Sequence, residues 1–359
     1  MSTQTFKCPS CGAGIEFNPE LGLFKCDYCL SEYTTEAITE YHAKETARVE
    51  AKHEVLEQKA AAEVGQEEPT TVRGYHCDSC GASVETDDTT TATFCYYCHN
   101  PVVIVDRLAG DMRPHQLVPF RISREQAIEQ FLGWAKKRRY IDQGFVSAAS
   151  LEKMTGIYLP FWYSDANIDY KMMAHGVRIR TWSTRNRTYT ERSIYQIDRN
   201  AHIFLDDLSL VAYSKSDQDL IYGILPYQKE DLVPFSQPYL SGFFAEQYDR
   251  AKEDCYYEME KLAVDTARNI VRSSIHGYSS VDIKHEEHDL KFDEWLYTLL
   301  PVWMLTYQFN NKTYVYALNG VTGRAYGELP LNRGKLMLHT AILILIILII
   351  LLLGGYFIL

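Results

Sequence analysis

Eight of the nine cysteines in this 359-residue chain fall in four CxxC pairs. Two thiolates so spaced make half of a tetrahedral metal site. Together they give two sets, Cys8, Cys11, Cys26 and Cys29, then Cys77, Cys80, Cys95 and Cys98, each spaced C-x2-C-x14-C-x2-C. That is close to the spacing of structural zinc sites, in which two tight turns present four sulfurs to one ion, so the expected cofactor is Zn2+, two per chain. Gly12 and Gly81 follow the first pair of each set, where the backbone must fold tightly around sulfur, whereas the second pairs continue into Leu30 and His99. The alternatives are iron in the same cage, thioredoxin-like redox pairs and relics that bind nothing. Redox use is disfavoured, because a module of about 28 residues cannot build a sufficient core alone and needs its metal to fold.

Other candidates carry less. His285 and His288, in Lys-His-Glu-Glu-His, lack the HExxH spacing of metalloproteases and have no third ligand in view. Cys255 sits in an apolar helical pattern and reads as an inert buried thiol. Trp162 and Trp303 read as core, with a ligand groove as the other use. Arg178, Arg180, Arg185, Arg187 and Arg192 mark a basic hairpin, either a solvated face or a surface for anionic lipid or an acidic partner. The chain has no GxxxxGK[ST] loop, GxSxG elbow or HExxH pair, so no catalytic residue is assigned and the reading is not enzymatic.

Charge bears on what the cysteine modules touch. The net charge is −11, and residues 75–102 contain no Lys or Arg beside Asp78, Glu85, Asp87 and Asp88. Residues 6–33 hold Lys7 and Lys25 against Glu16, Glu20, Asp27 and Glu32. Phosphate binding demands a basic face, so protein partners are expected and nucleic acid is not.

The elements that position these residues follow from pattern. A shift of 69 residues superimposes Cys8, Ser10, Cys11, Gly12, Ala13, Glu16, Cys26, Tyr28 and Cys29 on Cys77, Ser79, Cys80, Gly81, Ala82, Glu85, Cys95, Tyr97 and Cys98, which is an internal duplication. The expected organisation is a zinc ribbon over 1–35, a helical linker over 36–73 rich in Glu, Ala and Lys, a second ribbon over 74–105, a cytosolic body over 106–335 and a transmembrane helix over 336–359. The body also looks duplicated: Leu117-Val118-Pro119-Phe120 recurs as Leu232-Val233-Pro234-Phe235, and Leu159-Pro160-Phe161-Trp162 as Leu300-Pro301-Val302-Trp303. Apolar spacing predicts helices over about 123–139 and 245–272, each leading into tyrosine- and β-branched-rich strands with turns at Asn310-Asn311 and Asn319-Gly320. The fold class is therefore α+β, a helix plus an antiparallel meander used twice.

No N-terminal signal peptide is visible, and residues 336–359 carry no charge. At ~1.5 Å per residue such a helix spans a hydrocarbon core of roughly 30 Å. Arg333 and Lys335 precede it, which predicts a single-pass protein of the cell membrane with its N-terminal bulk in the cytosol.

Two ribbons, a helical spacer, a body with LPxW motifs followed by Tyr-Val-Tyr-Ala-Leu-Asn-Gly-Val-Thr-Gly at 314–323, and a terminal apolar segment form a set. It resembles the membrane-anchored, TFIIB-type zinc-ribbon proteins of Gram-positive bacteria. The resemblance implies three partners: a PspA-type phage-shock protein, an SPFH-like protein and a second membrane protein. Such proteins are also labelled as a primosomal helicase, a label rejected here because the nucleotide-binding loop is missing. The expectation is a membrane scaffold that recruits cytosolic proteins in envelope-stress protection. The competing reading is a membrane-tethered nucleic-acid or transcription-associated zinc protein, which requires the arginine hairpin and the ribbons to share one basic surface.

Overall fold

A computed structural model describes residues 3–45, 47, 74–77, 83–95, 98–138, 140–142 and 154–358. Most of the helical linker expected over 36–73 lies outside them. Its beginning is a helix over residues 35–45, opened by Thr34, whose Oγ1 accepts from the Ala37 amide at 3.3 Å.

One large sheet organises the chain, in the order Thr3–Gln4, Pro101–Ile104, Thr90–Phe94, Phe244–Glu246, Thr155–Thr184, Leu296–Phe309, Lys312–Asn319 and Ala325–Gly327. The α+β class holds, but the ribbons are not beads on a linker. The second ribbon's hairpin, Thr90–Phe94 with Pro101–Ile104, is part of this sheet, and the first ribbon contributes Thr3–Gln4 beside Val103 and Ile104.

The central strand, Thr155–Thr184, changes character along its length. From Tyr158 to Ser164 nearly every residue is buried, with neighbours on both edges and cover on both faces. From Ala166 to Gly176 burial alternates, because only one face is covered. The cover is the helix Lys252–Ser273, whose Cys255, Met259, Ala263, Ala267 and Val271 recur every four residues and pack in one core with Tyr170, Met172, Ala174, Ile197 and Ile203. Arg268 Nε of this helix donates to Glu286 at 2.7 Å, and Glu286 also accepts from the Tyr170 hydroxyl, tying helix to sheet. The helix is shorter at its start than the expected 245–272. Ala245 and Glu246, at its expected start, instead form a strand with Phe244, because the edge of Ile157–Tyr158 offers backbone partners.

The other long helix, Arg124–Lys136, has the expected capping box: Ser123 Oγ accepts from the Gln126 amide at 3.3 Å, and Gln126 Oε1 accepts from the Ser123 amide at 3.1 Å. It buries Ala127, Phe131 and Ala135 against Tyr316 and its neighbours. The turn signals also have structure behind them. Asn310 and Asn311 both take positive φ, 50° and 60°, as a two-residue hairpin turn requires. Asn319 is fully buried instead. Its Oδ1 accepts from the Val321 and Thr322 amides, and its Nδ2 donates to the Ile224 and Pro226 carbonyls. Gly320 beside it admits no side chain, since a Cβ there would lie 2.7 Å from Phe120 and 2.8 Å from the Pro301 carbonyl.

Within the body the two LPxW segments are set in a local two-fold relation. Strands Thr155–Thr184 and Leu296–Phe309 pair antiparallel with Leu159 opposite Leu300, the same position of the two LPxW motifs. A short strand runs parallel to each: Phe244–Ala245 beside Ile157–Tyr158, and Gln116–Leu117 beside Thr298–Leu299. Gln116 precedes the helix cap Ser123 by the same seven residues that separate Phe244 from the cap Ala251. The second unit thus starts at Phe244, later than its LVPF copy implies. That copy, as Val233–Pro234, pairs with Gln116–Leu117.

A last helix, Arg333–Ile358, carries the C-terminal apolar run, and its side chains are described from Gly334 to Ile350. Among the residues whose side chains are described, no helix is long and apolar enough to cross a membrane; residues 351–359 of the expected span lie beyond them.

Candidate metal centres

The first ribbon is a three-stranded sheet, Glu16–Asn18, Leu23–Lys25 and Glu32–Tyr33, with a cysteine pair before and after its first hairpin. Each pair forms the same turn. Gly12 N donates to Cys8 O at 2.8 Å and Cys8 N to Ala13 O at 2.7 Å; Leu30 N donates to Cys26 O at 2.9 Å and Cys26 N to Ser31 O at 3.0 Å. The residue after each pair must adopt left-handed φ, +76° at Gly12 and +60° at Leu30. Glycine does so freely, whereas a leucine in that region is strained by roughly 1–2 kcal/mol.

These turns bring Cys8, Cys11, Cys26 and Cys29 together, with all four sulfurs within 4.8 Å of one another. Cys8 Sγ lies 3.5 Å from Cys29 Sγ, and Cys11 Sγ 3.5 Å from Cys26 Sγ. A tetrahedral ion with bonds of ~2.3 Å sets sulfurs about 3.8 Å apart, so the donor set fits a thiolate-bound metal. The first cysteine of each pair is buried and the second exposed, which would place the ion at the module's surface.

The thiols perturb one another. In Cys11 the Ala13 amide favours the thiolate, but desolvation and the crowding of Cys26, Cys29 and Cys8 outweigh it and push the group up to about 12. Ser31, through its hydroxyl and then its amide, draws Cys29 down to about 6. A cation bound among the four sulfurs would favour the thiolate at each of them. The ribbon is also fixed to the body: Ser241 Oγ donates to Ile15 O at 2.7 Å, Phe17 N to Ser241 O at 3.3 Å, and the Phe17 ring meets Tyr239 at 5.1 Å.

In the second module Cys77, Cys95 and Cys98 come together, with 3.7 Å between the sulfurs of Cys77 and Cys98, while Cys80 lies outside the described residues. Its second turn repeats that of the first ribbon, His99 N donating to Cys95 O at 2.8 Å and Cys95 N to Asn100 O at 2.9 Å, with His99 at φ +58°. Arg107 was not among the expected site residues. Its buried guanidinium Nη1 donates to Thr86 Oγ1 at 3.0 Å and to the Asp87 and Thr90 carbonyls at 2.6 Å, bracing the start of the strand Thr90–Phe94 that leads to Cys95. It falls outside the cysteine spacing, so no motif points to it.

Of the weaker candidates, His285 and His288 project from opposite faces of the strand Ser280–Phe292: His285 meets Glu287 at 3.1 Å, and His288 approaches Glu260 of the long helix at 4.0 Å. They cannot share an ion. Cys255 is fully buried, and burial, partly opposed by Arg250, pushes its thiol up to about 11. Trp162 and Trp303 are both core residues, although Trp162 also borders a cleft of about 690 Å³.

Comparison with known proteins yields no matching family model and no matching solved structure. In sequence, and over nearly its whole length, the chain is similar to the uncharacterized protein YdjG of Bacillus subtilis (strain 168), with 28% identity over 332 residues that cover 92% of each chain.

Proposed function

We propose that this protein is a membrane-anchored zinc scaffold that recruits cytosolic proteins, in the manner of PspA-type envelope-stress systems. The observation that carries the recruiting role is the second turn of the first ribbon, where Tyr28 is 84% and Leu30 68% exposed, flanked by Asp27 and Glu32. An apolar patch with an acidic rim suits a protein partner and repels phosphate. A four-thiolate site leaves the metal no open position, so its role is structural rather than catalytic. Anchoring rests on the apolar segment 336–359, which this reading takes as a single-pass span with the bulk of the chain in the cytosol. The partners proposed are a PspA-type protein, an SPFH-like protein and a second membrane protein.

The competing reading, a tethered nucleic-acid protein, draws on the five arginines at 178–192. They lie far from the ribbons. The ribbon-bearing part of the sheet joins the central strand at Ile157–Tyr158, and the stretch 158–178 measures about 65 Å at ~3.3 Å per residue. One continuous basic surface is therefore not favoured.

The test is co-purification from detergent-solubilised membranes with wild type, Cys95→Ser/Cys98→Ser and Tyr28→Ser/Leu30→Ser. Scaffolding predicts loss of protein partners with either variant while membrane association persists. Unchanged partners would remove the ribbons from the recognition surface, and tight, salt-sensitive binding of oligonucleotide would favour the competing reading.

A further inference from the structure

The hairpin Thr155–Thr184/Arg187–Val211 outruns everything that covers it. Its third strand stops where Ser280 pairs with Val177, while the two strands continue paired to Thr184 and Arg187. Beyond Arg178 and Ile179, which still reach Gly277 O and Ser279 Oγ, the two strands form a free ribbon, a structure with little stability of its own in water. What it exposes is unusual for a solvated tip. On one face Trp182 stacks on Tyr189 across the strands at 5.7 Å, both exposed, beside Arg180 and Arg187. On the other face Ile179 and Ile194, 50% and 62% exposed, flank Arg192. The segment holds five arginines against one acid, Glu191, in a chain of net charge −11. Arg178 is engaged, donating to Gly277 O and lying over Tyr195 and Tyr278. Arg180, Arg185, Arg187 and Arg192 form no ion pair among the described residues.

We propose that this ribbon enters the headgroup layer of an anionic membrane. The deciding feature is that both faces are apolar and basic at once. A nucleic acid or a protein surface would cover one face and leave the other's isoleucines or aromatics in water. A lipid interface surrounds the ribbon: arginines meet phosphates bidentately, Trp182 and Tyr189 take the interfacial depth that their rings favour, and Ile179 and Ile194 leave water. This contact is separate from the C-terminal segment and goes beyond the scaffold reading.

Hydrogen exchange of the full chain tests it, with vesicles of phosphatidylglycerol or of phosphatidylcholine. Amides in 178–194 should exchange on the order of tenfold more slowly with the anionic vesicles alone, and Arg180→Glu/Arg187→Glu should abolish that protection while the core amides of 158–176 stay unchanged. Equal protection by both lipids, or by neither, overturns the proposal. So does protection by single-stranded oligonucleotide, which would assign the ribbon to nucleic acid. Protection that grows with protein concentration without lipid would assign it to the acidic surface of a second copy.

Discussion

Trp162 Nε1 donates to the Arg250 carbonyl at 2.9 Å, and Trp303 Nε1 donates to the Ile122 carbonyl at the same distance. Each carbonyl belongs to the residue just before the cap of a long helix, and each tryptophan reaches across to the helix of the opposite repeat. The halves of the body are thus clasped reciprocally. Phe120, 5.1 Å from Trp303, and Tyr248, 4.9 Å from Trp162, complete the pair.

The two clasps should not be equal. The Trp303 bond is buried, whereas the Trp162 bond is partly open beside its cleft, where water can satisfy the Arg250 carbonyl. Trp303→Phe should cost about 1–3 kcal/mol in denaturant unfolding and Trp162→Phe about 0.5–1.5. Equal losses would contradict the difference in solvation.

Metal loading should depend steeply on pH. Zinc needs thiolates, and Cys11, held up to about 12 by its neighbours, must release a proton on binding, so acid competes with the metal. Apparent affinity in a chelator competition should fall by ~10-fold or more per pH unit on acidification, with two ions bound per chain at saturation. A flat profile, or no zinc by elemental analysis, would rule out the four-thiolate sites.

The left-handed turn positions predict opposite effects of two exchanges. Gly12→Ala places a Cβ at φ +76° with nothing within 4 Å, so its cost is purely conformational, about 1 kcal/mol. Leu30→Gly removes strain at φ +60° and should hold or raise the ribbon's thermal midpoint. A lower midpoint for Leu30→Gly would mean that the exposed leucine packs on something.

Deleting residues 336–359 should release the protein into the soluble fraction with its fold intact, because the segment's described part packs little against the body. Fractionation and circular dichroism of the truncated chain provide the check. Membrane association that survives truncation but is lost with Arg180→Glu/Arg187→Glu would point to the hairpin.

The cysteine clusters that could hold metal were legible in the sequence because a CxxC turn is local: four backbone atoms and a left-handed residue suffice, and the 69-residue repeat marks the pattern twice. The helix at Ser123 was readable for the same reason, its capping box closing within four residues. The start of the second repeat was not. LVPF is a match of residue identity, whereas Phe244–Glu246 takes its place by pairing with strands far away in sequence, and such partners exist only once the sheet is formed. The same limit hid Arg107, whose guanidinium satisfies the Asp87 and Thr90 carbonyls that only folding brings to it. Composition alone determined that the arginines at 178–192 are concentrated. That they stand on an uncovered ribbon with apolar residues on both faces was decided by where the strand beginning at Ser280 and the helix Lys252–Ser273 stop covering it, a matter of tertiary length that no local pattern encodes.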